Sequence, residues 1–262
     1  MTSSLNDVLS AVSTVVWGPF VLMPLLLGTG LYLTIRLGGI QFRTLGRATR
    51  HAFIDTSSEG AGDISNYQAL TTALAATVGT GNIVGVATAL SIGGPGSLFW
   101  IWVTGLVGMA TKYSEAYLGV RFRTTDKHGK QQGGPQTYLR RGIPGGLGKV
   151  LAAAFMLFTI FASFGIGNLA QGNSIAAGME DAFGVDPVVS GILIFLCVGA
   201  AVLGGIEGIG KITAAFVPLM IVIYVVGGIA VLITMADQIP AALSAIFTGA
   251  FSGSCLLYTS PS

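Results

Sequence analysis

The stretch "TVGTGNIVGV", residues 77–86, decides how this chain is read. It carries Gly79, Gly81 and Gly85 and the bare amide of Asn82, inside a charge-free run that extends from Ile64 to Thr111. Each glycine costs a helix about 1 kcal/mol relative to alanine, so a helix crossing here is weakest at its middle. Unwinding within hydrocarbon leaves backbone N–H and C=O groups unpaired, and it persists only where the backbone lines a cavity or meets a ligand. A half-helix that restarts after such a break aims its N–H groups and a partial positive charge at an anion. Unwound carbonyls and the Asn82 amide oxygen can ligate a small cation. One break can therefore hold a carboxylate and a sodium ion together. A second reading is that the glycines form a tight packing face, since Gly81 and Gly85 fit small-xxx-small spacing. Thr77, Thr80 and Asn82 favour a site, because polar groups deep in a span need partners.

The surroundings of this stretch are those of an integral membrane protein. The chain is 52% hydrophobic and 9% charged, against roughly a quarter charged in soluble domains. Uncharged runs long enough for helices of roughly 20 residues occur at Val15–Ile35, Tyr67–Ile92, Leu98–Thr111 and just beyond, Val150–Gly178, Pro187–Ile206 and Ile212–Ala236, which predicts six transmembrane helices in an all-α protein. The second and third share one run, divided at Gly93-Gly94-Pro95-Gly96, where turn chemistry is strongest. With Asp7 and no basic residue before the first run, no cleavable signal peptide is expected. Cys197 and Cys255 form neither a disulfide framework nor a metal cluster.

The thirteen basic residues sort by loop. Arg36, Arg43, Arg47 and Arg50 follow the first span. Lys112, Arg121, Arg123, Lys127, Lys130, Arg140, Arg141 and Lys149 lie from the end of span three to the start of span four, and Lys211 lies between spans five and six. The opposite loops carry acids such as Asp7, Glu180, Asp181, Asp186 and Asp237. By the positive-inside rule the N-terminus is outside and the spans alternate without conflict in the cell membrane. Juxtamembrane positive charge needs no nucleic acid, and none is expected as a partner. Arg43, Arg47 and Arg50, at helical spacing among Ile40, Phe42 and Leu45, read either as an interfacial helix on the lipid bilayer or as a solvated loop. The loop before span four reads as irregular, with one short helix near Thr137–Arg141 and an exposed His128 of no chemical role.

A second polar cluster lies in the fourth span, where Phe164, Asn168 and Gln171 fall at i, i+4, i+7 on one helical face. A ring and two amides could face one cavity there, or the amides could join helices as interhelical hydrogen bonds. Lys112 and Glu115 read as a local pair or as side chains reaching the interface, and Glu207 as an acid in the tight "GGIEGIGK" turn. The spans show no acid–base pair, nucleophile arrangement, phosphate loop or dinucleotide fingerprint. An enzyme is therefore not the expectation, and no organic cofactor is called for.

The segments "NYQALTTALAATVGTGNIVGVATAL", "GGPGSLFWIWVTGLVGMATKYSEAYLGVRFR" and "GGPQTYL" resemble the alanine/glycine:cation symporter family, also called sodium:alanine symporters. The glycine-rich turn leading into Phe99-Trp100-Ile101-Trp102 is the most specific of these features. The resemblance implies a sodium-coupled importer of alanine or glycine with a leucine-transporter-type fold, in which an extra first helix precedes two inverted five-helix repeats. Spans two to six would be the first repeat. The turn Val78–Asn82 is also similar to the broken first core helix of neurotransmitter:sodium symporters. That likeness implies that the Thr80 and Gly81 amides hold the substrate carboxylate and that Asn82 with the Thr77 carbonyl binds one sodium. The Ala75 and Val78 carbonyls would serve a second sodium. The family resemblance implies that Gln171 lines the substrate pocket and that ion and substrate share Asn82.

The resemblance runs to about Phe251, after which "SGSCLLYTSPS" changes character. Residues 252–262 are expected to be a non-native tail on a truncated half, following residues 1–66 as N-terminus, first helix and interfacial segment, and 67–251 as the first repeat. The competing reading from another class is a non-transporting membrane scaffold whose glycines only pack.

Overall fold

The computed structural model describes residues 21–53 and 64–251, with short pieces at 7–8, 11–12 and 15–16. Helix α1 (Leu22–Arg36) is followed by two short helices, α2 (Ile40–Arg43) and α3 (Leu45–Phe53). Arg47 and Arg50 lie in α3 and Arg43 closes α2, so the basic segment is helical with an interruption at Thr44. The first predicted span begins partly outside the described residues. The tail 252–262 and Cys255 lie wholly outside them.

Helix α4 (Asn66–Thr77) starts on a reciprocal cap that the sequence encodes as Ser-x-x-Gln. The Gln68 amide N–H donates to Ser65 Oγ (3.2 Å) and the Ser65 N–H donates to Gln68 Oε1 (3.1 Å), which satisfies two donors that a helix start leaves unpaired. After a break at residues 78–80 the chain makes a π-helical turn, Gly81–Gly85, and continues as α5 (Val86–Gly93). Gly94, at φ +74°, ends α5 in the Gly-Gly-Pro-Gly turn, a backbone conformation that glycine adopts without strain. Helix α6 (Ser97–Arg121) is 25 residues long.

The loop after α6 is more ordered than its composition predicts. A two-residue antiparallel hairpin pairs β1 (Thr124–Thr125) with β2 (Gln131–Gln132). The Asp126 carboxylate accepts from the His128 N–H (2.8 Å) and the Lys130 N–H (2.9 Å), and Gly129 takes φ +80°. Asp and Gly at these positions are turn formers, a signal present in the sequence that the reading as an irregular loop overlooks. Helix α7 (Pro135–Gly142) contains the short helix predicted at Thr137–Arg141.

The fourth predicted span is α8 (Gly146–Phe164), a second π-helical turn (Gly165–Leu169) and α9 (Ala170–Phe183) in one continuous helical run. Then come α10 (Pro187–Leu203), capped by Asp186, and α11 (Gly205–Thr234). Glu207 lies in the first turn of α11, which corrects its assignment to a turn. Gly204 ends α10 and Gly205, at φ +61°, opens α11, and a carboxylate in a helix's first turn is favourable to the helix dipole. A 3₁₀ turn (Ala236–Gln238) leads into α12 (Ile239–Gly249).

Among the described residues, two runs are long and apolar enough to cross a membrane, Gly146–Phe183 and Gly205–Thr234, and Asn66–Thr77 with Gly81–Gly93 makes a third if the bent pair is one span. Helices α1 and α10 are apolar but shorter. Leu203 is 91% exposed and Phe195 75%, whereas the buried residues include Thr71, Ala89, Ser97, Ala110, Ala152 and Ser190. Small residues inside and large apolar side chains outside are the pattern of helices packed in lipid. The chain is an all-α membrane protein.

The described residues fall in two compact units interleaved along the sequence, one drawn from 1–48, 81–114 and 222–262 and the other from 49–80 and 115–221. In the first, a Cβ on Gly30 of α1 would stand 2.9 Å from Val107 Cγ2 of α6, so glycine sets that approach. In the same unit, a Cβ on Gly96 would meet the carbonyl of Gly249, and the Trp100 Nε1–H donates to the Ala250 carbonyl at 2.6 Å. The rings of Phe99, Trp100, Phe247 and Phe251 cluster around this contact with centroids 5.4 to 6.0 Å apart. In the second unit, the Thr72 and Thr213 hydroxyls join α4 to α11 at 3.1 Å.

Gly96→Ala should destabilise the protein by about 1–3 kcal/mol, the cost of overpacking, because the methyl group meets backbone that cannot rotate away. Thermal unfolding in detergent should show this loss beside Gly28→Ala as a control, since a Cβ there has nothing within 4 Å. An unchanged midpoint for Gly96→Ala would refute the close approach.

Candidate functional site

The break opens where the α4 ladder ends. The Val78 N–H donates to the Leu74 carbonyl at 2.7 Å, and Val78 then turns to extended backbone at φ −87°, ψ 102°. The carbonyls of Ala75, Ala76, Thr77 and Val78 lie past this last bond, among those that a helix end leaves without intrahelical donors. Three of them, on Ala75, Thr77 and Val78, are predicted sodium ligands, with Asn82 the fourth. The Thr77 hydroxyl is turned back on its own helix, donating to the Ala73 carbonyl at 2.7 Å. The helical segments on either side bend by 47° at the break.

Gln171, half-buried on α9, reaches the break within the second unit. Its Oε1 accepts from the Thr80 hydroxyl at 2.9 Å and from the Thr80 N–H at 3.4 Å. A Cβ on Gly79 would lie 3.4 Å from Gln171 Nε2 and 3.6 Å from Oε1, an ordinary contact distance, so the amide packs beside the backbone of the break. Thr80 begins the half-helix that continues through Gly81–Gly85, where N–H groups have no preceding turn to donate to. A side chain remote in sequence supplies the acceptor. Thr80 and Gln171, both predicted as site residues, are thereby brought together.

The remaining predicted residues are placed less directly. Gly81 and Asn82 open the first π turn, and Asn82 is exposed. Asn168 is exposed within the second π turn, and Phe164, 67% exposed, ends α8. The Thr80 donors at the break are accepted by Gln171 of α9 and not by Asn168 of the preceding π turn. The i, i+4, i+7 spacing of Phe164, Asn168 and Gln171 does not run along an uninterrupted α-helix, because the second π turn lies within it. The Ala170 N–H donates five residues back to the Gly165 carbonyl, and one extra residue rotates the downstream helix by about 100° relative to an uninterrupted α-helix. The overlooked signal is a repeated word, Gly79-Thr80-Gly81-Asn82 and Gly165-Ile166-Gly167-Asn168, each of which adjoins or enters a π turn. Among the described residues, no group of His, Cys, Asp and Glu could hold a metal ion.

A bent apolar span whose Thr80 donors are met by a distant amide gives this membrane protein a polar contact among its helical segments. The sequence profile of the sodium:alanine symporter family matches residues 2–257, and the chain belongs to that family. It is 51% identical over 253 residues to the sodium/alanine symporter AgcS of Methanococcus maripaludis, covering 94% of this chain and 55% of that protein. An uncharacterized transporter of Haemophilus influenzae is 45% identical, with 95% and 54% covered. The probable sodium/glutamine symporter GlnT of Bacillus subtilis is 32% identical, with 96% and 52% covered. The chain spans about half the length of these relatives. Their names are those of transporters, and none supports the scaffold reading.

The Thr80–Gln171 contact should give a coupling energy of about 0.5–1.5 kcal/mol, the net contribution of a hydrogen bond. A double-mutant cycle of Thr80→Val and Gln171→Leu, followed by unfolding in detergent, measures it. Additive single effects would show that the contact does not hold the break.

Proposed function

We propose that the protein carrying this chain is a sodium-coupled symporter that imports a small neutral amino acid, alanine or glycine, across the cell membrane by alternating access. The observation that carries the proposal is the break at residues 78–80, where a side chain accepts from the Thr80 donors just past the carbonyl end of α4. Such a break offers donors for a carboxylate and acceptors for a cation within a few residues. Relatives named for sodium with alanine or glutamine support an amino acid as cargo.

In this reading the Thr80 and Gly81 amides receive the substrate carboxylate. Asn82 and the Thr77 carbonyl hold one sodium, and the Ala75 and Val78 carbonyls a second. Phe164, Asn168 and Gln171 line the pocket. The architecture is an extra first helix followed by the first five-helix repeat of a leucine-transporter-type fold, six spans in all. Residues 1–66 precede that repeat, 67–251 form it and 252–262 are a non-native tail. The asymmetry of all thirteen basic residues supports an external N-terminus.

Asn82→Ala in the full-length protein should abolish sodium-dependent alanine uptake into vesicles while leaving the amount of protein in the membrane unchanged. Uptake that keeps its sodium dependence would remove Asn82 from the ion site. In the unsubstituted protein, sodium at a hundredfold excess over its Kd should add about 2.7 kcal/mol of stability by mass action.

A further inference from the structure

We propose that the Gln171 side-chain oxygen is an internal stand-in for the substrate carboxylate, occupying the Thr80 donors until a carboxylate replaces it. The proposal rests on the transport reading and adds a regulation of the same site. Two donors, the Thr80 hydroxyl at 2.9 Å and the Thr80 N–H at 3.4 Å, converge on the single oxygen Oε1. The amide lies within van der Waals reach of the Gly79 backbone. An sp² oxygen at the start of a half-helix is where a carboxylate oxygen would sit, so substrate and Gln171 compete for one position.

The competition has a defined direction. A carboxylate accepts charge-assisted hydrogen bonds roughly twice as strong as neutral ones, and the helix dipole favours an anion over a neutral amide at this end. The amide is strong enough to keep the Thr80 donors from standing unpaired in the empty site, which would be costly away from water. It is weak enough to be displaced. Seating the carboxylate then unties Gln171 of α9 from the broken span, since Gln171 is the acceptor of both Thr80 bonds. Binding is an exchange of acceptors, and its by-product is release of a helix contact.

The test compares wild type, Gln171→Ala and Gln171→Glu in the full-length protein purified in detergent with saturating sodium. Alanine affinity is read by calorimetry and amide hydrogen exchange is read over residues 77–86. The expected result is that Gln171→Ala exchanges the Thr80 amide at least about tenfold faster when empty, that alanine restores its protection, and that alanine binds at least as tightly as to wild type. A tenfold change corresponds to about 1.4 kcal/mol, the scale of one such hydrogen bond. Gln171→Glu, with a tethered carboxylate, should keep the amide protected and weaken alanine binding at neutral pH. If wild type binds alanine and Gln171→Ala loses it, Gln171 is a direct ligand and this proposal alone falls. If wild type binds neither alanine nor glycine, the transport reading falls and takes the proposal with it. Should the alanine variant fail to fold, Gln171→Met keeps the volume and removes the acceptor, with the same outcomes.

Discussion

A backbone donor inside a membrane span has to find an acceptor, and at Thr80 that acceptor is the Gln171 side chain. The constraint comes from the medium, since hydrocarbon offers no hydrogen bonds to an opened helix. It explains several features of the second unit at once. Helix α4 is fixed at its start by the Ser65–Gln68 cap and along its length by the Thr72–Thr213 hydroxyl contact, so its end is presented at a defined place. The run α8–π turn–α9 brings an amide to that place, beside the Gly79 backbone.

The first unit obeys the complementary rule. Lipid gives apolar side chains no reason to seek one another, so helices associate where small residues let them approach. Gly30 against Val107 and Gly96 against Gly249 are such approaches. The Trp100 indole donates to the Ala250 carbonyl just past the end of α12, where a helix leaves carbonyls unpaired. The Phe-Trp-Ile-Trp segment that marks the family resemblance thus has a physical task in this unit: it ties the start of α6 to the end of α12.

π turns recur at both polar clusters that the sequence singles out. Such turns widen a helix by one residue and are common at functional sites. Their occurrence at two Gly-x-Gly-Asn words gives a reason for glycine and asparagine to travel together here. Glycine tolerates the altered backbone, and the amide stands where the helical bond pattern is loosened. The same geometry defeats a simple helical-wheel reading, because Phe164 and Gln171 lie on opposite sides of the inserted residue. Glu207 departs from expectation for a related reason. The glycines around it signal a turn, but two of them suffice and the helix resumes beneath the acid.

Composition and the spacing of charges by themselves determined that this is an all-α membrane protein, because an uncharged run of that length has no other stable home. The glycines of residues 79–85 determined where the span would break, since the cost of glycine to a helix is local. Sequence also marked Thr80 and Gln171 as site residues through their polarity in apolar surroundings. That the two meet was decided only by the tertiary structure. Ninety-one residues separate them, and no local propensity sets the rotation of α9 after its π turn. The hydrogen bond depends on that rotation and on where α4 ends, which become one fact only when the helices pack.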